Sequence, residues 1–148
     1  MTGPSRIWLE GEFVRLEHEG KTVYGVVKTA VNGLAMIIEC NDLAAGRPVP
    51  MPVIWDGRRG AFVGVCGHPV VLHEAGPPEM SHWLIYVNKS FPIGWVVRRF
   101  DIYPGACLPA RESTECTTLE EARALVPPGL LMAPRLPTDH PSIAEVWS

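Results

Sequence analysis

The strongest constraint on the fold of this chain is a stretch of three β-rich runs separated by two short turns. The runs lie within residues 11–39, and the turns between them are Glu19-Gly20 and Asn32-Gly33. Asn-Gly between apolar runs is the strongest local signal for a β-hairpin, because both residues tolerate the positive φ angles of a type I′ turn. The stretch therefore predicts a three-stranded antiparallel meander. A small barrel or sandwich is the usual way to cover the faces of such a meander.

The alternation of side chains along these runs predicts which face of each strand is buried. A period of two puts Val14 and Leu16 on one face of the first run, and Gly25 and Val27 on one face of the second. A glycine inside a strand usually marks a bulge or a close approach of another backbone. The third run, residues 34–39, is almost wholly apolar, so we expect it to be the most buried strand.

Further turn signals predict two more hairpins downstream. The first is centred on Asp56–Gly60, where Asp-Gly has the same turn chemistry as Asn-Gly. The second joins residues 83–87 to residues 93–100. Residues 41–52 lack any period and contain three prolines, so they are expected to form an extended loop or an edge segment.

One short helix is predicted near the C-terminus. Thr117 and Thr118 each precede a glutamate by three residues, which is the spacing of a capping box, and Pro127 ends the segment. The helix is predicted over residues 118–126. Residues 127–148 are predicted to form an extended proline-rich tail that packs on the domain or on a partner.

The composition favours a compact chain with many turns. Of 148 residues, 47% are hydrophobic and 20% are charged, which is typical of a globular protein, and 14 glycines and 15 prolines without a repeat favour short strands over long helices. The predicted fold is mainly β (all-β to α+β). It is a small SH3-like barrel or β-sandwich of about six to eight antiparallel strands over residues 1–126, with the short helix at its end and the tail beyond.

Net charge, cysteine spacing and hydropathy disfavour nucleic-acid and membrane partners. The net charge of −3 provides no positive excess to drive nucleic-acid binding. The four cysteines form no C-x-x-C pair, and the first residues lack the apolar core of a signal peptide. No run approaches the roughly 18 apolar residues of a membrane span. We therefore expect a protein of the bacterial or host cytosol, with reduced thiols and no membrane contact.

Cys66, His68 and His73 form the most suggestive cluster for chemistry. Residues i and i+2 of a strand share a face, so a thiolate and an imidazole could converge on zinc, with His73 as a further ligand. The same groups could instead form a nucleophilic pair. They carry the alternative hypothesis of a small metal- or thiol-dependent enzyme. No zinc or catalytic signature surrounds them. A buried structural cysteine beside a histidine in a turn would give the same sequence pattern, so we expect no cofactor.

Two arginine pairs lie near aromatic side chains and form the candidate partner-binding surface. Its residues are Trp55, Arg58, Arg59, Trp95, Arg98 and Arg99. Tryptophan and arginine are enriched among interface hot spots, and five tryptophans exceed what a core of this size requires. Arginine interleaved with aromatic rings is also typical of small barrels that bind single-stranded nucleic acid, which the acidic balance of this chain disfavours.

Protein binding is the preferred function. We expect a non-enzymatic protein-binding or inhibitory module, encoded by a phage or mobile element or serving as an accessory subunit of a bacterial complex. The second hypothesis is the metal- or thiol-dependent enzyme, and the third is a nucleic-acid-binding barrel. The partner could also be a second copy of this chain, which would make the protein a homodimer. This interpretation predicts that replacing Trp95 or Arg99 with alanine abolishes partner capture while the fold survives.

Overall fold

The structure, a computed structural model, describes residues 3–42, 47–88, 94–133, 136–137 and 140–148, with the backbone only of residues 41, 42, 47 and 48. Tertiary contacts divide the chain into two compact units. The first comprises Met1–Pro78 and Tyr103–Leu108, and the second comprises Glu79–Ile102 and Pro109–Ser148. The domain predicted over residues 1–126, with a tail over 127–148, stays a prediction.

Six strands of the first unit close into an antiparallel barrel. They are β1 (Phe13–His18), β2 (Lys21–Val31), β3 (Ala35–Asp42), β4 (Arg47–Asp56), β5 (Ala61–Val63) and β6 (Pro69–Glu74). The remaining elements are β7 (Met80–Asn88), β8 (Gly94–Tyr103), β9 (Ala106–Cys116), α1 (Leu119–Leu125), β10 (Met132–Ala133) and β11 (Ile143–Trp147). Their strands form a sheet in the order β10-β11-β7-β8-β9. The predicted mainly β fold, with a small barrel and a short C-terminal helix, is confirmed, whereas the SH3-like classification stays a prediction.

The predicted meander is confirmed, with both turns in the expected places. β1 pairs with β2 across Glu19 and Gly20, and β2 pairs with β3 across Asn32 and Gly33. The φ angles are 50° and 74° in the first turn, and 53° and 69° in the second. Two consecutive residues with positive φ match a type I′ turn, which suits the twist of the flanking strands.

The barrel core lies on the face predicted by the period of two. Val14 and Leu16 are completely buried in it. Gly25 is buried where β2 and β3 pack closely, because a Cβ atom there would lie 2.8 Å from Ile38 Cγ2 and 2.9 Å from the carbonyl oxygen of Glu39. Close packing, one of the two roles that the sequence suggested for this glycine, therefore explains its position.

The side chains of the third run alternate between the core and the surface. Met36 and Ile38 are buried, whereas Leu34 and Ile37 are 47% and 39% exposed. Cys40 of the same strand is also buried, so the run contributes one face to the core, and the expectation that it forms the most buried strand stays a prediction. A strand in the wall of a barrel presents only one face to the core, even where the residues of the other face are apolar.

β4 begins inside the segment that was expected to be a loop or an edge segment, and the edge alternative holds. It pairs with β3 from Arg47 onward, while residues 43–46 lie outside the described part of the chain. The N–H of Trp55 donates to the carbonyl oxygen of Leu34 (2.7 Å), so odd-numbered residues of β4 point their N–H groups toward β3. The prolines at 48, 50 and 52 are even-numbered. They therefore face the side where the described part of β5 offers no partner, which is where a strand tolerates proline.

Helix α1 begins at the predicted capping box. Thr118 is the N-cap, and its hydroxyl oxygen accepts the N–H of Glu121 (3.1 Å). The carboxylate of Glu121 in turn accepts the N–H of Thr117 (3.2 Å). The buried Ala122 belongs to the same apolar cluster as Ile85 of β7. Because the cap and the apolar face are local features, the predicted bounds, 118–126, differ from the observed bounds, Leu119–Leu125, by only one residue at each end.

The C-terminal residues add two strands to the second sheet, and an ion pair ties one of them to the helix. β11 pairs with β7, and β10 pairs with β11. Arg123 of α1 donates from Nε and Nη2 to the buried carboxylate of Glu145 in β11, with a shortest distance of 2.6 Å. The Trp147 indole donates to the same carboxylate (3.3 Å). These hydrogen bonds, from Arg123 above all, hold the pKa of Glu145 below its ordinary value, and the same pairing raises the pKa of Arg123.

We expect the docking of β11 to be labile in acid. Because the pKa of Glu145 is lower in the folded than in the unfolded chain, its contribution to stability is present above the unfolded pKa and is lost as the pH falls through the folded pKa. The measurement is amide hydrogen exchange of β11, corrected for intrinsic rates, from about pH 7 to about pH 3. The Glu145→Gln variant should show lower protection at neutral pH and a smaller acid-induced loss. Equal acid sensitivity in both proteins would contradict this assignment.

Candidate binding cleft on the barrel

The segment before β1 is anchored to the barrel through Trp8 and Arg6. Trp8 is buried in the barrel core, and the guanidinium of Arg6 lies 3.8 Å from the centroid of its ring, a cation–π contact. Arg6 Nη1 donates to Glu74 Oε1 at 2.7 Å, and Nη2 donates to Glu12 Oε1 at 2.8 Å. One arginine thus ties this segment both to β6 and to the residues that lead into β1.

A cleft of about 560 Å³ lies between this segment and strands β4, β5 and β6. Its floor is part of the barrel core, since Phe62 and Val70 are buried there and Leu72 packs against the same cluster. Arg6 and Glu74 provide charged groups in its wall. A concave site that combines apolar side chains with a few charged groups is a candidate for ligand or partner binding.

Trp55 is a sequence-predicted binding residue that lines this cleft. Its ring is half-buried and meets Phe62 edge to face, with centroids 5.1 Å apart and an interplanar angle of 75°. Edge-to-face contact is a favoured arrangement of aromatic pairs and fixes the orientation of both rings. Phe62 was not singled out from the sequence. Its position directly opposite Trp55 in the β4–β5 register is the signal that would have identified it.

Arg58 and Arg59 lie in the turn between β4 and β5, next to the cleft in sequence. Asp56 Oδ1 accepts the backbone N–H groups of Arg58 (3.0 Å) and Arg59 (3.3 Å), which is how aspartate stabilises a turn. The Arg59 side chain lies 3.6 Å from Asp56 Oδ2 and also donates to the carbonyl oxygen of Gly67. Arg59 therefore joins two loops of the barrel, and Arg58 is exposed at the surface.

Trp95, Arg98 and Arg99 lie on β8, in the second unit. Trp95 is half-buried and packs against the apolar cluster that includes the helix. Arg98 Nε donates to the carbonyl oxygen of Ala110 at 2.6 Å, and Arg99 Nε lies 3.0 Å from Oδ1 of the buried Asp101. The six residues predicted for one surface thus fall on two different units. Their role in partner binding stays a prediction.

The candidate metal ligands lie in and just before β6: Cys66 and His68 are between β5 and β6, and His73 is in β6. Cys66 is exposed before β6, and His68 Nε2 lies 3.3 Å from Glu19 Oε1. His73 Nε2 lies 3.7 Å from Glu17 Oε2. In the described part of the chain, no group of three or more His, Cys, Asp or Glu side chains is arranged to hold a metal ion. The structure therefore does not bring these three together as ligands, and the zinc- or thiol-dependent alternative stays a prediction.

In the described part of the chain, no two cysteines are joined by a disulfide. Burial raises the pKa of the Cys40 thiol to about 11. Burial, with the nearby charge of Glu121, also raises the pKa of Cys116. A raised pKa disfavours the thiolate, which is the nucleophilic form of cysteine.

Comparison with known proteins adds no further guide to the site. No family model, curated protein or solved structure matches this chain. Among the helices of the described residues, none has the length and apolar character needed to cross a membrane. The chemistry of the cleft itself is therefore the basis for inferring a function.

Proposed function

We propose that this chain is a non-enzymatic protein-binding module, and that the barrel cleft receives part of its partner. The observation that carries this proposal is the aromatic lining of the cleft, where Trp55 and Phe62 meet edge to face. Tryptophan is enriched among interface hot spots, which cluster in well-packed, desolvated pockets. An apolar side chain of a partner would find in this cleft a preformed surface whose rings are already held in place.

The outer wall of the barrel supports the same function. Val31, Ile37 and Ile54 are exposed on it, Ile54 at 57%. Ala35 stands opposite Val31 in β2 and opposite Ile54 in β4, so these side chains form a row across three neighbouring strands. Contiguous exposed apolar surface of this kind is a feature of protein interaction sites.

The charges around the cleft favour a protein over a nucleic acid as the partner. Arg6, the cation of the cleft wall, is bound to the carboxylates of Glu12 and Glu74. The three groups together carry a net negative charge, which repels phosphate and attracts basic side chains. An inhibitory or accessory role, in a phage, a mobile element or a bacterial complex, would follow from the identity of the partner.

Filling the cleft is expected to abolish partner binding. The chain is purified gently from its source cells, the bound partner is identified by native mass spectrometry, and binding of the purified partner is measured by calorimetry. Ala61→Trp adds a large side chain to the cleft wall without removing any core side chain. Ser113→Trp places the same large side chain at an exposed position of β9 in the second unit, outside both the cleft and the outer wall of the barrel, and serves as the control.

We expect the Ala61→Trp variant to fold and to lose the partner, while Ser113→Trp keeps both fold and binding. Circular dichroism establishes that each variant is folded. Equal binding by the two folded variants would show that the cleft is not the binding site. A protein that is recovered without any partner under these conditions would argue against a binding module.

A further inference from the structure

We propose that the cleft holds an extended segment of the partner as an added β-strand on the open edge of β6, with an apolar residue opposite Leu72 and a basic residue opposite Glu74. This inference rests on the proposed function, because it names the kind of segment that the binding module takes. It follows from the hydrogen-bond directions of the barrel strands, from the way in which β5 ends, and from the charges beside β6.

The backbone groups of Leu72 and Glu74 point toward the cleft. The N–H of Ala75 donates to the carbonyl oxygen of Phe13 (3.3 Å), in continuation of the β1–β6 register. In an antiparallel pair such bonded positions recur every second residue, so the odd-numbered residues of β6 face β1. The even-numbered residues, Val70, Leu72 and Glu74, must then point their N–H and C=O groups to the β5 side.

Only the first of these three residues has a partner in the pairing of β5 with β6. Val70 stands opposite Phe62, which is the last pair of that register on this side. If the register continued, Gly60 would stand opposite Leu72. The N–H of Gly60 instead donates to the carbonyl oxygen of Asp56 (2.9 Å), because the β4–β5 turn closes on itself there. The self-closing turn therefore leaves a two-residue edge of β6 facing the cleft.

No other described strand occupies this edge. The segment before β1 lines the cleft, but its residues 3–12 form no strand. Unpaired strand edges are templates for strand addition, in which main-chain hydrogen bonds provide affinity and alternate side chains provide specificity. An added strand would have both backbone groups of Leu72 and of Glu74 available for pairing.

The side chains along the edge define the chemistry of the added strand. Leu72 packs against the barrel core, so the residue opposite it faces the apolar floor of the cleft. Glu74 is on the same face two residues later, and its side chain is 72% exposed. Arg6 neutralises only one of the two carboxylates of Glu12 and Glu74, so a basic residue opposite Glu74 completes the charge balance. An antiparallel partner strand then carries the order basic, any residue, apolar.

The test uses the capped peptide acetyl-Thr-Lys-Thr-Leu-Thr-amide and the full-length protein. Binding is measured by titration, following the amide resonances of Leu72 and Glu74. We expect saturable shifts at these two amides. N-methylation of the lysine and leucine of the peptide removes the two N–H groups that would pair with β6, and should weaken binding about tenfold or more. Exchanging the lysine for glutamate should weaken it roughly fivefold or more.

Charge reversal in the protein provides a second measurement that does not alter the core. Glu74→Lys should weaken binding of the lysine peptide and strengthen binding of the glutamate peptide, whereas Glu112→Lys, an exposed position on β9, should change neither. Binding that tolerates N-methylation, or that shifts amides elsewhere, would overturn the strand-addition proposal. So would a concentration-dependent homodimer that protects the same two amides, because a second copy would then occupy the edge.

The two proposals can fail separately. If a purified natural partner binds in a manner blocked by Ala61→Trp, but neither that partner nor the peptide shifts the Leu72 and Glu74 amides, the cleft is a binding site and the added strand is wrong. If the peptide binds as expected and no natural partner depends on the cleft, the edge is real and the proposed function is wrong.

Discussion

Truncating Leu16 to alanine is expected to lower the free energy of unfolding of the barrel by about 2–5 kcal/mol. Leu16 is one of the largest completely buried side chains, in the middle of β1 and within the barrel core. The loss combines the transfer free energy of the missing methyl groups with the cavity that a closed barrel cannot collapse to fill. The measurement is denaturant unfolding followed by circular dichroism, with amide exchange of β1 to β3 to report on the barrel alone.

Ile54→Ala provides the matched control for this truncation. Ile54 is also an aliphatic residue of a barrel strand, but it lies on the outer wall and is 57% exposed. Its truncation removes little buried surface, so we expect a loss well below that of Leu16→Ala. A comparable loss in both variants would mean that the outer wall is covered in the folded protein, and that the inside and outside of the barrel have been assigned incorrectly.

The parts of the barrel that the sequence predicted correctly are those with local causes. Asn32-Gly33 sets a type I′ turn through its own φ angles, and the period of two in β1 selects Val14 and Leu16 for the core. For the third run, the sequence pattern did not show which residues are buried. Ile37 is apolar yet exposed, because closure of the barrel gives each strand a single inner face regardless of how apolar its outer residues are.

Of the residues that line the candidate cleft, the sequence singled out one for partner binding, and its residue type is itself enriched at interfaces. Trp55 was singled out as an aromatic hot-spot candidate, and it does line the cleft. Arg6 and the edge of β6 at Leu72 were missed. Their placement depends on where β5 and β6 separate and on which carboxylates the first segment reaches, and these are contacts between residues far apart in the chain. Turn signals locate hairpins, but they do not show which strand pairing stops short.

Replacing Trp95 with alanine is expected to destabilise the second unit and to leave peptide binding at the cleft unchanged. Trp95 packs against the buried cluster of Ile85, Val97 and Ala122. Truncating a fully buried tryptophan costs about 3–5 kcal/mol, and the partial exposure of Trp95 lowers the expected loss below that range. The cleft is lined by residues of the first unit, so the binding of the lysine peptide should persist while the variant is folded.

The Trp95→Phe variant distinguishes a role of Trp95 in packing the second unit from a role of its indole in recognising the partner. The phenyl ring retains much of the apolar contact, so amide exchange of β7 and β8 should be close to that of the original protein in this variant and faster in Trp95→Ala. If Trp95→Ala instead keeps its exchange protection but releases the natural partner, the indole is a recognition element. The surface predicted from the tryptophan and arginine pairs of β8 would then be part of the binding site. Loss of protection with retained peptide binding would assign Trp95 to the core of its own unit and leave the cleft as the candidate.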